Sequence, residues 1–61
     1  MVYAIIHRAS QMVLEKHEAS SADECREKYL QAHPELEVDT VNELMTNYPM
    51  LMMNLWMVPL S

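Results

Sequence analysis

The sequence predicts a small α+β domain spanning residues 1–61, built as an N-terminal β-hairpin, two short helices and a C-terminal apolar strand. Three observations predict it. The first fourteen residues hold two runs rich in strand-forming side chains, VYAII and MVL. Two S/T-x-x-E capping signatures follow, Ser21 to Glu24 and Thr40 to Glu43, each leading into apolar residues at helical spacing and each stopped by a proline. After Glu43 the chain carries no charge, and all thirteen charged residues lie between Arg8 and Glu43.

From Val2 to Ala9 the residues Val2, Ile5, Ile6 and Ala9 sit at helical spacing, while their β-branched and aromatic character suits a strand. A hairpin through Arg8-Ala9-Ser10-Gln11 into MVLEKHEA needs a four-residue connection built on a type I turn. Two-residue turns favour glycine or asparagine, and neither occurs before Asn42. The alternative is one long N-terminal helix in an all-α helical dimer. In the next segment Ser21 caps a helix whose apolar stripe is Ala22, Cys25, Tyr29 and Ala32, with Asp23, Arg26, Glu27 and Lys28 toward water. Pro34 ends it, because the residue before a proline is pushed out of helical geometry. A second helix starts at the Thr40 cap with Val41, Leu44, Met45 and Tyr48 on one face and stops at Pro49. The rival reading makes Leu36, Val38 and Thr40 a strand, at the cost of placing Val41 on the wrong face.

From Met50 to Leu60 both alternating faces are apolar: Met52, Trp56, Val58 and Leu60 on one, Leu51, Met53, Leu55 and Met57 on the other. A strand covered on one side only shows polar residues at alternate positions, so this one is expected to be covered twice. The two helices can cover one face, and a second protomer is the simplest cover for the other. Pro59 belongs at a strand end or edge.

Size points the same way. A chain of 61 residues buries only about 60% of the surface its unfolded form exposes, and compact chains of this length often need a staple. Cys25 is the only cysteine, which fits a reducing cytoplasm and leaves no intrachain disulfide, so self-association remains. The apolar tail contains Thr46, Asn47, Pro49, Asn54 and Pro59 and falls short of the ~20 apolar residues of a membrane span. The start, MVYAIIHRASQ, lacks the basic segment of a signal peptide. A formal net charge of −5 with four basic residues opposes nucleic-acid binding, whose affinity comes largely from lysine and arginine on phosphates.

No catalytic, cofactor-binding or metal-ligating motif appears. His7, His17, His33 and Cys25 lack the two-to-five-residue pairing of structural zinc ligands. Cys25 reads as a small buried hydrophobe, His17 and Glu18 as solvent-facing, and His33 as a favourable charge at a helix C-terminus. Glu35, Glu37 and Asp39 read as a solvated acidic connector. Tyr3, Tyr48 and Trp56 each serve as core filler or interface anchor. Methionine clusters suit adaptable binding surfaces, so the expected partner or dimer interface is Met50, Met52, Met53, Leu55, Trp56, Met57 and Val58.

In length, single-domain economy and lack of a site motif, the chain is similar to the small accessory proteins encoded in bacteriophage early regions, a resemblance of size and style that implies binding to a host protein. The expected function is that of a non-enzymatic protein-binding modulator or adaptor, a cytoplasmic homodimer without cofactor. The alternative is a dimeric nucleic-acid-associated regulator whose basic residues Arg8, Lys16, Arg26 and Lys28 line one side.

Overall fold

A computed structural model of the chain describes residues 1–60. The N-terminal segment is a hairpin of β1 (Val2–His7) and β2 (Met12–Glu18), joined by the four-residue turn the sequence requires. The Gln11 amide donates to the His7 carbonyl at 2.7 Å, and Gln11 takes the left-handed conformation with φ 61°. With no glycine to place there, this costs about 1 kcal/mol. His7 Nδ1 and Ser10 Oγ, 3.0 Å apart, pin the turn. The long N-terminal helix of the all-α alternative does not form, since β-branched Val2, Ile5, Ile6 and Val13 pack better on a pleated surface.

The helices follow. In α1 (Ala22–Ala32) the Ser21 Oγ accepts from the Glu24 amide at 3.2 Å. The Glu24 carboxylate, however, reaches Ser20, accepting from its amide at 3.2 Å and its hydroxyl at 3.0 Å, one residue beyond a standard capping box. Ser21→Ala is expected to cost about 1 kcal/mol and lower the thermal midpoint by several degrees; an unchanged circular-dichroism melt would show that the Ser20–Glu24 bonds cap the helix alone. Cys25 and Tyr29 are buried as expected, but Ala32 is exposed, because α1 ends there and Leu30 and Leu36 take over the packing.

No strand forms over 36–40. Pro34–Leu36 is a single 3₁₀ turn, and Glu37 reverses the chain at φ 57°. Helix α2 (Val41–Asn47) is capped by Thr40, whose Oγ1 accepts from the Glu43 amide at 3.1 Å. Pro49 then opens a further helix, α3 (Pro49–Met53), where the sequence predicts strand. Proline at a first helical position is pre-set for the helix and lacks only a donor that would be unsatisfied there, and Leu and Met are good helix formers. Asn54 closes α3 through its amide and Nδ2, which both donate to the Met50 carbonyl, at 3.2 and 2.8 Å. The C-terminal strand is therefore shorter than expected, β3 (Leu55–Pro59).

The three strands form an antiparallel sheet in the order β2-β1-β3. Registers Tyr3↔Pro59, Ile5↔Met57 and His7↔Leu55 put Tyr3, Ile5, Leu55 and Met57 on one face. That face holds the core with Ala19, Cys25, Tyr29 and Leu44, so all the helices lie on one side. Both sheet edges are blunted. Between Ile5 and Ile6 the register slips so that Leu14 bulges from β2, which also carries charged side chains, and Pro59 lies on edge strand β3.

Candidate interaction surface

The same registers fix the opposite face of the sheet. Ile6 pairs with Trp56 and Val13, Ala4 with Val58 and Lys16, and Val2 with Glu18. No element among the described residues covers this side. Trp56 is 43% exposed and Val13 50%, while Leu60 continues the alternation at 51%. Ala4 is sealed at 1% exposure yet stands outside the core cluster, which is what a small residue ringed by larger neighbours on an open face shows. The result is an apolar patch of Val2, Ile6, Val13, Trp56, Val58 and Leu60 on a rigid three-stranded platform. Contiguous exposed apolar surface of this kind marks interaction sites.

Charge divides the molecule. The Arg8 guanidinium stands over the Trp56 ring, 5.4 Å from its centroid, a cation–π geometry that lines up Arg8 with the open face. The Arg8 amide ties the turn to the Asn54 carbonyl at 2.8 Å. Lys16 is the second basic side chain on this side, and Glu18, paired with the N-terminal ammonium at 2.6 Å, is the only acidic side chain there among the described residues. Arg8, Lys16 and Glu18 leave the face at +1, so the rest of the chain carries −6 of the formal total of −5. Arg26 and Lys28 lie on α1, and Arg26 pairs with Asp23 at 2.8 Å, so the four basic residues do not share one side.

The residues expected at the interface fall into three places. Trp56 and Val58 lie on the open face. Leu55 is buried in the core, with Met52 and Met57 packed against it, and the Cys25 thiol sits 3.9 Å from the Met57 sulfur. Met50 and Met53 are exposed on α3. Open-face residues that sequence reasoning missed are Val2, Ile6 and Val13. Strand alternation together with the hairpin register carries the signal that would have found them.

A second constellation lies under the C-terminus of α1. Glu15 faces the helices from β2 and accepts hydrogen bonds from His17 Nε2, at 2.7 Å, and from His33 Nε2, while His33 Nδ1 meets Glu35 Oε2 at 2.8 Å. The Tyr29 ring stacks on His33 with centroids 4.2 Å apart. His17 is thus not solvent-facing as expected; β2 alternation turns it inward beside Glu15. Partial burial pushes the Glu15 carboxyl up, but hydrogen bonds and charge from His33 and His17 outweigh it and hold its pKa below the usual value. The Glu15 hydrogen bond raises the His33 pKa against the effect of burial, and Glu35 adds to the rise. Both ring nitrogens of His33 face carboxylates, which only the imidazolium satisfies as a double donor. Burial pushes the Cys25 thiol up, away from the reactive thiolate.

Among the described residues no three His, Cys, Asp or Glu side chains are placed to hold a metal ion, and no helix is long and apolar enough to cross a membrane. Comparison with protein-family models, curated proteins and solved structures finds no match. The functional reading rests on the two faces of the sheet.

Proposed function

We propose that this chain is a non-enzymatic protein-binding module that works through the open face of its sheet. The observation that carries the reading is a platform of Ile6, Val13, Trp56 and Val58 left uncovered while the opposite face is packed. Trp56 is its natural anchor, since tryptophan joins large apolar area to a polar tip at interface hot spots. The likeness in size and style to bacteriophage accessory proteins would make the target a host protein. Self-association through the same face is the second reading, favoured by a small core with a single free cysteine. A nucleic-acid role has less support, because among the described residues Trp56 is the only aromatic one on this face and two of the four bases lie on the helix layer.

Trp56→Lys tests the proposal, with Glu27→Lys on α1 as control. Trp56→Lys is expected to keep its circular-dichroism spectrum and to lose, by tenfold or more, the assembly or protein capture of the wild type, while Glu27→Lys retains it. A folded Trp56→Lys protein with undiminished capture and assembly would sink the reading.

A further inference from the structure

We propose that the occupant of the open face is an amphipathic helix of a partner protein, about four turns long, whose apolar stripe is flanked by carboxylates. This rests on the reading of the face as a docking surface and adds the chemistry of what docks there.

Dimensions carry the first part. Three strands spaced ~4.8 Å apart, with six residues in β1 at ~3.3 Å each, give a platform roughly 15 Å wide and 20 Å long. An α-helix with its side chains is ~10–12 Å across, and ~13 residues span 20 Å. One helix therefore matches the face in length and nearly spans its width. A second copy offers a sheet of the same size. Its plan area of roughly 300 Å², even doubled for side-chain relief, falls short of the ~800 Å² per partner of a standard stable interface. A helix docked on so small an area is a weak, transient partner, for which no such minimum applies.

The edges carry the second part. An extended peptide adds to a free strand edge through backbone hydrogen bonds, but here the Leu14 bulge and Pro59 mark the two edge strands. The flat face is the better-formed surface, and a helix is the element that packs on a face.

Charge carries the third. Arg8 beside Trp56 and Lys16 opposite Ala4 put two cations against the apolar patch, with Glu18 at its far, Val2 end. A second copy laid face to face would bring the same two cations. Carboxylates flanking an apolar stripe meet them with opposite charge, and the rest of the molecule, at −6, repels such a helix from the wrong side. Long-range repulsion by the net charge is screened within ~8 Å at physiological salt, so the local cations decide the docked orientation.

Trp56 is the only tryptophan, so its fluorescence reports directly on the face. The probes are two synthetic helices of about fourteen residues with one leucine stripe, flanked by glutamates in one and lysines in the other. The glutamate helix is expected to blue-shift Trp56 emission saturably in the micromolar range, the lysine helix to bind at least about tenfold more weakly, and an Arg8→Glu, Lys16→Glu protein to reverse that order. Equal binding of the two helices, or no shift with either up to about millimolar concentration, overturns the inference. So does a sedimenting dimer whose Trp56 emission is already blue, or tighter binding to an oligonucleotide or to anionic vesicles. The dimer would leave the face a protein-docking surface and remove only its helical occupant, whereas the parent reading falls on Trp56→Lys retaining its partners.

Discussion

Ile5→Ala is expected to remove roughly half of the stability of the fold. Ile5 is fully buried in the central strand, between the Glu15 and Met57 partners and beneath the helices. Truncating such a residue to alanine costs about 2–5 kcal/mol through lost transfer energy and the cavity left behind. Typical stabilities of about 0.05–0.15 kcal/mol per residue give a 61-residue chain only about 3–9 kcal/mol in all. The loss is thus a large fraction of the whole. Urea titration by circular dichroism measures it, and Ile5→Val, expected to cost about 1 kcal/mol, provides a folded point on the same scale.

The neighbouring Ile6 makes this a test of the architecture as well. It is the same residue type, one position along the same strand, on the opposite face and only half-buried. Ile6→Ala opens no enclosed cavity and is expected to cost about 1 kcal/mol or less. Equal losses at Ile5 and Ile6 would mean that both faces are covered in solution, and would therefore locate a second protomer on the face read here as open.

The hairpin, the first two helices and a C-terminal strand were legible in the sequence, but the helix between Pro49 and Met53 was not. The two hydroxyl caps, Ser21 and Thr40, were visible because each needs only an oxygen three residues before a free amide. The hairpin was visible in outline, since four turn residues without glycine permit few closures. Pro49 misled the reading of the tail, because a proline that ends one helix at Asn47 also begins the next. Two apolar faces over 50–60 therefore suggest one long strand, whereas residues 50–53 supply a helical stripe and residues 55–59 a strand. Trp56 and Val58 were legible as apolar residues of the tail, and the register places both on the open face of the sheet. Glu15 was not, for a carboxylate on a short strand shows no burial signal until the hairpin register puts it opposite Ile5 and within reach of a histidine eighteen residues away.

That hidden carboxylate controls the pH dependence expected of the fold. The folded pKa of Glu15 lies below its unfolded value, so its contribution is present above about pH 4.3 and is lost as the pH falls through the folded value. His33 behaves in the opposite sense. Its folded pKa is raised, so its contribution is complete below about pH 6.5 and is lost as the pH rises through the folded value. The two overlap between those limits, which places the stability maximum on the acid side of neutrality. Glu15→Ala removes the acceptor shared by His17 and His33 and leaves partly buried ring nitrogens unpaired. Hydrogen bonds to charged groups contribute about 1.5–3 kcal/mol each, and partial exposure of all three groups brings the expected loss for the pair to about 2 kcal/mol near pH 5.5. Glu15→Gln keeps the shape without the charge, so its stability profile should flatten on both sides of the maximum. His33→Gln should flatten mainly the alkaline side, because His17 still donates to Glu15. Urea midpoints measured from pH 3 to pH 9 distinguish these shapes. Profiles for Glu15→Gln and the wild type that run parallel throughout would show that the cluster is an exposed, solvated group of charges rather than the joint between β2 and the end of α1.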